Sequence, residues 1–202
     1  MSQIALPLDI SGGARPARIV VGEANRAAIE ALRDPARWPF RTAVLVGPPR
    51  SGKSLLARWF AELGAGETLD DAQSYDETAL FHAWNRAQEH DVPLLMTAAP
   101  GWQVTLPDLA SRLGGSLQLA IGAPDDATIA DLLAAHAEQR RLVLGEWAAA
   151  YLVPRIERSW AAVEAVVAAI DRLSLERQSP ATMSVWRDAL EAVQGPEQGR
   201  LL

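Results

Sequence analysis

The chain has 202 residues, enough for one medium domain or a domain with a small appendage, which rules out a tandem multidomain machine. Hydrophobic residues make up 49% and charged residues 22%, so a core is available and global disorder is excluded. The absence of cysteine removes disulfides, thiolate zinc sites and cysteine nucleophiles together, three scattered histidines argue against a metal enzyme, and a net charge of −6 gives no general attraction for nucleic acid.

Residues 1–17 contain Pro7, Gly12, Gly13 and Pro16 without sustained periodicity and read as a mobile arm, although QIALPLDI within it is unusually apolar for an arm. That segment has neither a basic n-region nor an h-region, and no apolar run approaches the roughly 18 residues needed to cross a bilayer, so a soluble, cytoplasmic protein is expected. A short extended piece at Ile19 to Val21 and a helix over Asn25 to Leu32 follow, and DPARWPF then breaks the chain before a strand at Thr42 to Val46. The next helix runs from Lys53 to Leu63, with Leu55, Leu56, Trp59, Phe60 and Leu63 at helical spacing.

Beyond it lie a weak strand at Glu67 to Leu69, an amphipathic helix over Asp76 to Glu89, a strand at Val92 to Thr97, a short helix at Leu106 to Leu113 and a strand at Leu117 to Ile121. This alternation predicts an α/β fold with a small parallel sheet and flanking helices. From Asp125 onward only helices are expected, near 125–140, 146–154, 158–175 and 184–193, forming an all-helical lid. The expected organisation is therefore an arm at 1–17, a base at 18–123, a lid at 124–194 and a frayed tail at 195–202. The seven tryptophans, at helical positions, read as core and lid packing.

Gly47-Pro48-Pro49-Arg50-Ser51-Gly52-Lys53-Ser54 fits G-x-x-x-x-G-K-[ST] and lies between a predicted strand and a predicted helix, where a phosphate-binding loop belongs. Backbone N–H groups of the loop and helix N-terminus would cradle phosphate oxygens, Lys53 would reach the β and γ positions, and the Ser54 hydroxyl would ligate magnesium. Pro48 and Pro49 lack an N–H, so the donors must come from about Arg50 onward. Lys53 is also the sole lysine among 19 basic residues.

Asp70 and Asp71 follow the weak strand as the natural second element, Asp70 ordering magnesium through water and Asp71 orienting an attacking water; a solvated acidic loop is the alternative. Only 16 residues separate Lys53 from Asp70, room for one helix and a return strand and no more, so the sheet should be small. Arg112 and Arg158 could each stabilise phosphate charge, while in isolation either would read as a solvated surface arginine.

Taken together, QIALPL, VVGEANRAAI, WPFRTAVLVGPPRSGKS, LDDAQ, LFHAWNRAQ, LLMTA, LPDLASRL, APDD and RIERSWAAVEAVVAAID resemble, in order and spacing, the DnaA-related branch of AAA+ proteins. The similarity is greatest to the Hda-type regulators of bacterial replication initiation and runs from Gln3 to about Leu190. It implies a bound ADP or ATP with magnesium, held by Gly47, Arg50, Ser51, Gly52, Lys53, Ser54 and Leu55, with Val21, Gly22 and Asn25 near the adenine. Arg158 matches the lid arginine that senses nucleotide, and Arg112 the arginine finger, which would reach ATP held by DnaA. Gln3, Leu6, Pro7 and Leu8 match the Q-x-x-L-P-L peptide that binds the DNA polymerase sliding clamp.

The resemblance thus implies a bacterial, replisome-associated regulator whose partners are DnaA and the clamp, with no direct sequence-specific DNA binding. Two departures stand out. Arg50 replaces a frequent glycine, and Ala98-Ala99 stand where a polar or acidic sensor is common, so intrinsic hydrolysis is expected to be slow or absent. A recruiting adaptor that never touches its partner's nucleotide, and an autonomous ATPase working as a homo-oligomer, stay open as alternatives.

Overall fold

The computed structural model describes residues 19–195. These divide into two compact units, one spanning Glu23–Gly122 and the other holding residues 19–22 with 123–195.

The first unit is built on four parallel strands, β1 (Thr42–Val46), β2 (Glu67–Leu69), β3 (Leu94–Ala98) and β4 (Leu117–Ala120), in the order β2-β3-β1-β4. The central pair reads TAVLV and LLMTA, apolar runs suited to burial on both faces, whereas β2 has three residues and β4 alternates half-buried with exposed positions, as edges do. Parallel pairing needs crossover helices, and α2 (Lys53–Glu62), α3 (Glu77–Glu89) and α4 (Pro107–Gly114) supply them, with α1 (Glu23–Leu32) ahead of the sheet.

Val44, Leu94 and Met96 pack with Leu80, Trp84 and Ala87 of α3 and with Leu109 and Leu113 of α4. Residues of opposite parity, Ala43, Leu45 and Leu95, are also fully buried and face the other way. There α2 packs against β2 and β3, and α1 against β4. The expected sheet is thus present, and it is small. β3 begins at Leu94 and not at Val92, because Pro93 has no N–H to give to a ladder.

In the second unit α5 (Asp126–Gln139), α6 (Ala148–Leu152), α7 (Trp160–Glu176) and α8 (Met183–Gln194) form an all-helical group in which α7 packs on both α5 and α8. Asp125 accepts the Thr128 N–H at 2.8 Å and Ser159 the Ala162 N–H at 3.1 Å, side-chain caps that fix where α5 and α7 start. One packing expectation fails: Trp147 is 73% exposed, standing at the N-cap of α6, a helix of only five residues. No helix among the described residues is long and apolar enough to cross a membrane.

Candidate functional site

All four strands are parallel, so β1, β2 and β3 end together, with Val46 beside Ala98 and Leu69 beside Met96. Ligands of open α/β sheets bind outside such carboxyl ends. The glycine loop leaves β1 there and Asp70-Asp71 leave β2, so the register brings the two sequence motifs to one edge of the sheet.

Within the loop, Gly47 is fixed by space. A Cβ there would lie 2.9 Å from Ser51 Oγ and 3.0 Å from Ile121 Cβ. Gly52 is fixed by conformation, capping α2 with a φ of 86°. Arg50 also has positive φ, 64°, which explains why glycine suits that position and why arginine costs about 1–2 kcal/mol there. Lys53 Nζ donates to the carbonyls of Gly47 at 2.7 Å and Pro48 at 3.0 Å. Burial lowers the Lys53 pKa below the ordinary lysine value, and the carboxylates of Asp71 and then Asp70 oppose that shift. The lysine and both acids therefore share one electrostatic environment.

The acidic pair is held by a residue outside the sequence motifs. Thr97, fully buried near the end of β3, accepts the Asp71 N–H at 2.9 Å through Oγ1 and donates that hydroxyl to Asp70 Oδ1. Asp71 has a left-handed backbone (φ 61°, ψ 50°) and opens a 3-10 turn, Ala72–Ser74. The Gln73 side chain reaches back to Asp71 Oδ1 and across to the Ala99 N–H. Thr97 is visible as the one polar residue of LLMTA, a strand otherwise wholly apolar; Gln73 carries no sequence signal beyond its place after the acids.

These groups fit a magnesium nucleotide. The Ser51 N–H goes to the Pro48 carbonyl at 3.3 Å, and beyond it the loop offers N–H groups from Gly52 onward, a cation in Lys53, an exposed hydroxyl on Ser54, carboxylates in Asp70 and Asp71, and a buried Ser51 Oγ without a hydrogen-bond partner. Leu55 is half-buried in the first turn of α2, and Asn25 is buried in α1.

Arg112, in the last turn of α4, lies 4.5 Å from the ring centroids of both Phe81 and Trp84 and donates through Nη1 to Asn85 Oδ1. Those partners occupy positions i, i+3 and i+4 of α3, one helical face. Arg158 belongs to the second unit, where its guanidinium pairs with Asp126 Oδ1 at 2.9 Å on the surface. Gly22 lies against Thr128 of α5, leaving no room for a Cβ. Gln3, Leu6, Pro7 and Leu8 lie outside the described residues.

No protein-family model and no curated protein matches the chain. Solved structures match its architecture. Domain III of the Thermotoga maritima replication initiation protein DnaA superposes with a TM-score of 0.71 over 88% of this chain and 95% of that one, at 14% identity. AMPPCP-bound DnaA from Aquifex aeolicus gives 0.60 at 17% identity over 79% of this chain, which spans about two thirds (66%) of that longer protein. The Thermotoga maritima RuvB Holliday junction branch migration motor gives 0.62 at 13% identity over 88% and 73%. The fold resembles that of DnaA domain III. At such identities the likeness concerns the fold, and chemistry must be argued from side chains.

Proposed function

We propose that this protein is a nucleotide-binding regulator of DNA replication initiation. The observation that carries the reading is the convergence of the Lys53 loop with Asp70 and Asp71 at the carboxyl edge of a DnaA-like sheet, buttressed by Thr97. In this reading the loop N–H groups and Lys53 bind the phosphates of ADP or ATP, Ser54 ligates magnesium and Asp70 orders its water. A magnesium ion held there would supply neutralising charge to the phosphates. Arg158 senses the nucleotide from the helical unit, and Asn25 stands near the adenine.

The regulatory act is proposed at Arg112. The chain, tethered to the DNA polymerase sliding clamp by Gln3, Leu6, Pro7 and Leu8, docks on ATP-bound DnaA and offers the Arg112 guanidinium to the phosphate charge that develops there. An arginine so supplied is worth about 10³ to 10⁵ in rate in other systems. Support comes from the position of Arg112, in the last turn of the helix before the edge strand β4. The test is hydrolysis of labelled ATP prebound to DnaA, on clamp-loaded DNA, with the wild-type protein and with Arg112→Ala. Stimulation lost in the variant is the expected outcome; equal stimulation by both would sink the finger assignment.

One observation favours a second reading, a recruiting adaptor that leaves its partner's nucleotide alone. Arg112 is already engaged by Phe81, Trp84 and Asn85, contacts that would have to be exchanged before it could serve another site. An adaptor tolerates Arg112→Ala and fails when residues 1–8 are removed.

A further inference from the structure

The Gln73 side chain is bonded at both ends. Oε1 accepts the Ala99 N–H at 3.1 Å, and Nε2 donates to Asp71 Oδ1. The amide can face only one way, because a backbone N–H must meet the oxygen and an ionised carboxylate must meet the nitrogen. The backbone of Asp71 is fixed independently: its N–H goes to Thr97 Oγ1, and its carbonyl accepts the Ser74 N–H and the Ser74 hydroxyl, each at 2.8 Å. Rotation of the carboxylate is the freedom that remains, and Gln73 takes it away.

We infer that Gln73 is a positioning residue, which aims the Asp71 carboxylate into the nucleotide site and locks it to Ala99 just past the end of β3. The inference rests on the nucleotide reading of that site. A second carboxylate beside the one that would order magnesium's water strengthens metal binding only when its own direction is set, and outer partners of this kind are worth about 10- to 100-fold in metal affinity or activity. The Asp71 carboxylate acts on Lys53 more strongly than Asp70 does, so its direction bears on the lysine as well.

Three variants of the full chain separate aim from scaffolding. Gln73→Ala removes both bonds. Gln73→Glu keeps an acceptor for the Ala99 N–H while setting a like charge against Asp71, and Ser74→Ala disturbs the same turn without touching the carboxylate. The measurement is equilibrium binding of methylanthraniloyl-labelled ADP and ATP, each with and without magnesium. We expect Gln73→Ala and Gln73→Glu to weaken magnesium–ATP binding by about 10-fold, to leave metal-free ADP binding unchanged, and Ser74→Ala to behave as wild type. Gln73→Glu binding magnesium–ATP like wild type, or Gln73→Ala weakening every nucleotide equally, would overturn the inference and leave the nucleotide site standing. A wild-type chain that binds neither nucleotide would overturn both.

Discussion

Lys53 donates to two loop carbonyls while feeling two carboxylates, so its ammonium is both held and opposed by burial. Hydrogen bonds to a charged group are worth about 1.5–3 kcal/mol. Lys53→Ala should accordingly weaken nucleotide binding by roughly 10- to 100-fold in a fluorescence titration, and unchanged affinity would place the phosphates elsewhere. Thr97→Val keeps the shape of a buried residue and deletes the hydroxyl that bridges Asp70 and Asp71. With the Asp71 N–H left unpaired, chemical denaturation should report a loss of about 1–3 kcal/mol. Lys53, Asp70 and Asp71 were legible because spacing along the chain encodes them. Thr97 and Gln73 were not, since their roles follow from the parallel register that sets Met96 beside Leu69, and nothing local in the sequence states that register.

At the scale of elements, α4 (Pro107–Gly114) has at its N-cap Leu106, a residue with no side chain able to cap. Glu77, the first residue of α3, does the capping from a different helix, accepting the N–H groups of Thr105 at 2.9 Å and Leu106 at 2.6 Å and the Thr105 hydroxyl at 2.9 Å. The same two helices hold Arg112 against Phe81 and Trp84, so this cap stabilises the setting of the candidate finger. The Thr105 and Leu106 N–H donors, with the Thr105 hydroxyl, hold the Glu77 carboxyl below its ordinary value of 4.5. A depressed carboxylate contributes stability that is present above the ordinary value and lost as pH falls through the lowered one. The denaturation midpoint of wild type should therefore exceed that of Glu77→Gln at neutral pH, with the gap narrowing on acidification below about 4.5. A gap independent of pH would remove the linkage.

The alternation of strands and helices was readable here, as apolar runs and amphipathic periods are local. The link from Glu77 to Thr105 spans a strand and two loops and was not. Neither was the backbone before β1, where Phe40 and Arg41 both take positive φ, 49° and 45°, with the Phe40 carbonyl held by Gln88 at 2.7 Å and by Thr42 at 2.9 Å.

At the scale of the whole molecule, the two compact units make ligand-linked stability informative. A ligand at about 100 times its Kd stabilises the state that binds it by about 2.7 kcal/mol. In calorimetry, magnesium ADP should raise the transition that includes Glu23–Gly122, and the stabilisation should fall in Lys53→Ala to about 0.4–1.4 kcal/mol, as a 10- to 100-fold weaker site requires. A shift that the substitution leaves undiminished would mean that the nucleotide binds away from the loop. Apart from Lys53 and three histidines, the basic side chains are guanidinium groups, so the amine folded onto the Gly47 and Pro48 carbonyls is the chain's single side-chain primary amine. Because burial has lowered its pKa, more of it stands as free base than for a lysine in water. An amine-selective reagent and intact-mass spectrometry would thus read the occupancy of this loop in an unmodified sequence, with no engineered label, as the one mass increment beyond that of the terminal α-amine that a bound phosphate group suppresses.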